Sequence, residues 1–210
     1  MKNNSPQPTS SKKNHVKAIS FQHSLDLYDW QKEALASWYE KNSGIIEAST
    51  GSGKTWIALE LLKSHSDCKF LIIVPKRSLV TQWKEMINNH LSLKALSFSE
   101  RNYFTKNNIL IEVINTVIRN IEEINTWRPN VIIYDEVHRY TGLHFNKALS
   151  LQVEHSVNDF KGKLGLTATM PNKEIERQAY ETLINTVGQV VYTYSIADAK
   201  SDSLLASAIE

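Results

Sequence analysis

A single cysteine, Cys68, occurs in the 210 residues. It has no partner for an internal disulfide and cannot build a cysteine metal cluster, so a buried, inert thiol in a reducing compartment is the expectation. No apolar run approaches the ~18 residues that a membrane-spanning helix needs, and the N-terminus lacks the apolar core of a secretory signal. A soluble cytoplasmic protein with no membrane partner is therefore expected. There is little excess of either charge: 24 Lys and Arg against 22 Asp and Glu give a net charge of +2, which does not announce a nucleic-acid binder, so any basic surface has to be local. Residues 1–20 hold no acidic side chain but carry Lys2, Lys12, Lys13 and Lys17 among Ser, Asn and Pro, and read as a disordered basic tail. Beyond that tail there is no repeat or low-complexity tract.

A hydrophobic content of 41% is enough for a sizeable core, and the length suits one α/β domain. Short β-rich apolar runs mark strands at Ile45–Ala48, Phe70–Val74, Ile109–Ile114, Val131–Tyr134, Gly162–Leu166 and Val190–Tyr194. Between them, apolar residues recur at helical spacing: Leu79, Val80, Trp83, Met86, Ile87 and His90, then Val117, Ile121 and Ile124, then Ile175, Ala179, Leu183 and Ile184 after Pro171, which suits a helix start. The alternation predicts a mostly parallel sheet with helices on both faces, a three-layer α/β/α domain. Trp30, Leu35, Trp38 and Tyr39 predict a further helix packed on that sheet.

Between the first strand and its helix lies Ala48-Ser49-Thr50-Gly51-Ser52-Gly53-Lys54-Thr55. It matches the phosphate-loop pattern except that Ala48 stands where the first glycine would be. Gly51 and Gly53 can take backbone angles that turn the amides of Thr50 to Gly53 toward anionic oxygens, and the following helix adds its positive end. Lys54 supplies a point charge for β- and γ-phosphates and Thr55 a hydroxyl for Mg²⁺. A second acidic element should end a neighbouring strand, and Val131-Ile132-Ile133-Tyr134-Asp135-Glu136 supplies one. Asp135 suits the metal, and Glu136 suits orienting or deprotonating a water. Taken singly, each element also reads as an ordinary polar turn; together they predict a nucleoside triphosphate site.

Ala-x-Thr-Gly-x-Gly-Lys-Thr, then Asp135-Glu136-Val137-His138, then Thr167-Ala168-Thr169 occur in this order. In this the chain resembles the superfamily 2 helicases and translocases, the DEAD/DEAH-box group in the wide sense, and within it the DNA-repair and restriction branch. The alanine at position 48 is usual in that group. The resemblance implies a RecA-like ATP-binding domain using ATP and Mg²⁺. It implies adenine recognition by Gln31, coupling through His138, Thr167 and Thr169, and nucleic-acid backbone contacts by Lys76, Arg77, Ser78 and Thr116, with DNA favoured over RNA. It divides the chain into a tail at 1–20, a RecA-like domain at 21–195 and the start of an interdomain linker at 196–210. Family members carry a second RecA-like domain with an arginine motif of the Gln-x-x-Gly-Arg-x-x-Arg type. No such segment occurs here, so the expectation is the first half of a two-domain motor, slow in hydrolysis until a second domain in cis or trans completes it. A binding module derived from such a motor and an unrelated phosphate-loop kinase are the competing readings.

Overall fold

The computed structural model describes residues 25–100 and 108–202. The predicted tail, the first residues of the predicted domain and residues 203–210 of the predicted linker lie outside them.

Six parallel strands form one sheet: β1 (Ser43–Ala48), β2 (Phe70–Val74), β3 (Ile109–Val113), β4 (Val131–Asp135), β5 (Gly162–Thr167) and β6 (Val190–Tyr194). Their order is β3-β2-β4-β5-β1-β6. Every side chain of β2 is buried, as expected of a strand covered on both faces.

Alternate residues of each strand enter two separate cores, because successive side chains point to opposite faces. On one face Ile46, Ile72, Ile133 and Leu166 pack with helices α1 (Asp29–Tyr39), α2 (Lys54–Ser64) and α3 (Arg77–Leu91). On the other, Ile45, Leu71, Ile73, Ile132 and Tyr134 pack with α4 (Ile114–Arg119), α5 (Ile121–Trp127), α6 (Asn146–Leu149) and α7 (Arg177–Thr186). The result is the expected three-layer RecA-like architecture. In α1, Trp30 stacks on Tyr194 of β6 at 4.4 Å and 11°, and Trp38 donates its indole N–H to the Lys163 carbonyl. The aromatic helix is therefore a packing element, as its composition suggests.

Three local expectations are corrected. Ile114 belongs to α4 rather than to the preceding strand. The helix expected across Val117, Ile121 and Ile124 is broken at Asn120, whose side-chain amide donates to the Thr116 carbonyl and which opens α5 with non-helical angles; short polar side chains compete in this way for backbone groups. Pro171 does not start α7, which begins at Arg177, and Ile175 is exposed before it. Asn172 Oδ1 accepts from the Glu174 and Ile175 amides and Glu176 from the Asn172 amide, holding the segment as a turn. Within the expected linker, residues Ile196–Ser201 form helix α8, opened by a Ser195–Asp198 capping box and anchored by buried Ala199.

A tight joint in the sheet is at Gly162, where an added Cβ would lie 2.5 Å from the Asn42 carbonyl oxygen and 2.8 Å from the Trp38 ring. A backbone oxygen and a core indole cannot step aside cheaply. Gly162→Ala is expected to cost about 1–3 kcal/mol by overpacking, seen as a lowered melting temperature; an unchanged melt refutes the steric argument.

Candidate functional site

β1, β4 and β5 all end on the same edge of the sheet, so the segments after Ala48, Asp135 and Thr167 are neighbours. Gly51 and Gly53 have φ of 80° and 93°, the left-handed region that side chains resist. Gly53 is the N-cap of α2, and Lys54 and Thr55 are that helix's first two residues. The loop after β1 is thus shaped to expose amides at a helix N-terminus. The Ser52 hydroxyl donates to the Ser49 carbonyl at 2.7 Å, tightening the turn.

One cleft of about 410 Å³ joins this loop to the end of β4. Its lining combines Thr50, Gly51, Gly53, Lys54 and Thr55 with Asp135 and Glu136, while Trp56, Leu79, Trp83 and Met86 form an apolar wall. Lys54 Nζ donates to the Ala48 and Ser49 carbonyls at 2.6 and 3.1 Å. Burial pulls its ammonium below the ordinary lysine range, against the opposing pull of Glu136 and Asp135. Burial also pushes Asp135 up, and the charge of Glu136 adds to that; the Trp83 indole N–H, 2.9 Å from Asp135 Oδ2, and the charge of Lys54 work the other way. Glu136 itself sits at φ 54°, ψ 53°, a left-handed conformation that costs a non-glycine residue about 1–3 kcal/mol and is retained mostly at functional positions.

His138 follows in a short 3-10 turn, Val137–Tyr140. Its Nδ1 is 2.7 Å from Thr167 Oγ1 and 3.5 Å from Glu136 Oε2. The Thr167 hydroxyl is also 2.7 Å from the Thr169 carbonyl, which can only accept, so its one proton goes there. Nδ1 must then be the protonated nitrogen, donating to Thr167. Burial pulls the imidazole below its ordinary value, favouring the neutral form, against the opposing pull of Glu136. The three residues expected to link the motifs form one chain of hydrogen bonds, with the Glu136 carboxylate 3.5 Å from its histidine end.

The remaining expected site residues are placed differently. Gln31 is 1% exposed, with its amide engaged at both ends: Oε1 accepts from the Tyr28 amide and Nε2 donates to the Gly53 carbonyl. It braces the phosphate loop beside a smaller cleft of about 230 Å³, lined by Asp26, Leu27, Tyr28 and Trp56. Lys76, Arg77 and Ser78 are exposed at the N-terminus of α3, after β2, and Thr116 is half-buried within α4, after β3.

The family model described as type III restriction enzyme, res subunit (ResIII), matches residues 24–172. The chain belongs to this family. The ResIII match makes it a superfamily 2 helicase-type domain. A DNA 3'-5' translocase, XPB2, of Sulfurisphaera tokodaii is 31% identical over 174 residues, covering 83% of this chain and 37% of that protein. A Rad25 protein of Halobacterium salinarum is 30% identical over 161 residues, covering 74% of this chain and 25% of its own length. The chain thus spans well under half of these relatives. Among solved structures, the Sulfolobus solfataricus SWI2/SNF2 ATPase core in complex with dsDNA superposes with a TM-score of 0.64 at 16% identity, over 84% of this chain and 38% of that one. That likeness establishes the RecA-like fold.

Two contacts near the strand ends of the ResIII domain escape a reading by motif. Trp83 is read from the sequence as an apolar helix position, yet its N–H meets the carboxylate of Asp135. Glu47 accepts from the Met170 amide at 3.0 Å, tying β1 to the segment after β5. A carboxylate inside the otherwise apolar run Ile45–Ala48 is the signal that could have found it. Among the described residues no group of three or more His, Cys, Asp or Glu could hold a metal by itself, and no helix is long and apolar enough to cross a membrane.

Proposed function

We propose that this domain binds ATP with Mg²⁺ and, with a second RecA-like domain, forms a nucleic-acid-dependent ATPase that works as a helicase or translocase, with DNA as the favoured track. The observation that carries this is the single cleft in which Lys54 and Thr55 face Asp135 and Glu136. The residues present fit the cofactor. The Thr55 hydroxyl and the Asp135 carboxylate are hard oxygen donors of the kind Mg²⁺ takes, and the loop amides suit phosphate oxygens. When bound, the metal would neutralise phosphate charge. Lys54 would exchange its two loop carbonyls for phosphate oxygens. Glu136 would orient the attacking water and accept its proton. His138 would hand the state of that carboxylate to Thr167 and Thr169. Lys76, Arg77, Ser78 and Thr116, at the same sheet edge, would grip a nucleic-acid backbone, a contact blind to sequence and weakened by salt. The name of the Sulfurisphaera relative, a DNA translocase, supports DNA.

The test is ATP hydrolysis by the chain joined to a second RecA-like domain, with and without duplex DNA. Stimulation by DNA is expected. In the same assay His138→Ala should keep ATP affinity within about twofold while reducing the stimulation about tenfold, the scale of one hydrogen bond to a charged or catalytic group. Absence of stimulation, with both domains folded and associated, overturns the proposal.

A further inference from the structure

Trp83 is 2% exposed, and with Ile87 one turn later it is the buried face of α3. Its ring lines the cleft between Leu79 and Met86, and its Nε1 lies 2.9 Å from Asp135 Oδ2 across 52 residues of sequence. Satisfying a buried indole does not by itself explain that contact. Trp30 and Trp127 keep their Nε1 atoms buried without a partner, and Trp38 uses a backbone carbonyl. Only at position 83 does an indole N–H meet a carboxylate among the described residues. The backbone of Asp135 is held separately, for the buried Tyr140 hydroxyl lies 2.7 Å from its carbonyl oxygen and 3.1 Å from that of Ile73, pinning the ends of β4 and β2 together.

We infer that Trp83 is a positioning residue for the metal-binding carboxylate: its indole N–H fixes the rotation of the Asp135 side chain and occupies one lone pair of Oδ2, so that the other oxygen remains for Mg²⁺. The inference rests on the cleft being a Mg²⁺·nucleotide site. A side chain that could rotate freely would lose freedom on meeting the ion; one already anchored in a rigid core loses little. Groups that orient a metal-binding carboxylate in this way commonly change metal affinity by 10–100-fold when removed. The ring also forms part of the cleft wall, so the effects of shape and of the N–H have to be separated, which phenylalanine does by filling much of the same space without a donor.

The experiment titrates Mg²⁺ into the full chain in the presence of ADP, reading nucleotide affinity by calorimetry for the unsubstituted protein and for Trp83→Phe. The expected result is that Trp83→Phe binds ADP without metal within about twofold of the unsubstituted chain but needs roughly tenfold more Mg²⁺ for the same enhancement. An unchanged Mg²⁺ requirement overturns the inference, and so does an equal loss of metal-free ADP binding, which marks a packing role alone. Should Trp83→Phe fail to fold, the indole ¹⁵N–¹H resonance of Trp83 in the unsubstituted chain decides. It must shift when Mg²⁺ is added to the ADP-saturated protein, and a static resonance overturns the inference. If ADP affinity of the unsubstituted chain is indifferent to Mg²⁺, the site reading and this inference fall together, a result obtained without any Trp83 variant.

Discussion

Glu136→Gln, in the chain joined to a second RecA-like domain, is expected to lower ATP turnover by about 10²–10⁴-fold while leaving Mg²⁺·ATP affinity within a few fold. Glutamine has nearly the same shape and can keep its place 3.5 Å from His138 Nδ1, which already donates to Thr167. The left-handed backbone at position 136 costs the two side chains about the same, so the fold is not a confounding factor. What glutamine cannot do is take a proton from water. Single-turnover hydrolysis at saturating ATP measures the effect directly. Unchanged hydrolysis would remove Glu136 from the chemistry.

Lys54→Ala should act on binding as well as turnover, with hydrolysis falling by about 10²–10³-fold, as when one preorganised donor is lost from a site of developing charge. Its effect on stability should be small, because two terms oppose each other. The Ala48 and Ser49 carbonyls lose their donor, which costs free energy if they stay buried. Against that, the ammonium, destabilised by burial, no longer has to be desolvated. A melting temperature within a few degrees of the unsubstituted chain, together with loss of nucleotide binding by calorimetry, is the expected pair of results. Retained ATP affinity in a folded Lys54→Ala protein would contradict the reading of the loop as a phosphate cradle.

Glu136 and Lys54 are both legible in the amino-acid sequence, and the reason is local. A strand followed by two glycines that open a helix, or ending in two carboxylates, carries its chemistry within a few residues. The strands are legible for a similar reason: doubly covered parallel strands read as short unbroken apolar runs, and the six observed strands lie within two residues of the expected limits. Helix limits are less legible. Asn120 and Asn172 redirect backbone hydrogen bonds through their side chains, and apolar periodicity does not register that competition. Gln31 is a residue whose partner its type alone does not select. Its type suits adenine's edge, but an amide suits a loop carbonyl and a loop N–H equally well, and it is engaged with the Gly53 carbonyl and the Tyr28 amide.

By itself, then, the sequence determined the phosphate loop, the acidic strand end, the alternation of strands and helices, and the order in which the three motifs occur. Each depends on backbone preferences or side-chain chemistry confined to a short window. The tertiary structure alone decided the strand order β3-β2-β4-β5-β1-β6, and with it which distant groups meet at one sheet edge. Lys54 shares a cleft with Asp135, His138 reaches Thr167, and Trp83 reaches Asp135. Those meetings depend on how crossovers return the chain across the sheet. A tryptophan on an apolar helix face is spaced for burial whether its N–H will meet a carboxylate, a carbonyl or nothing.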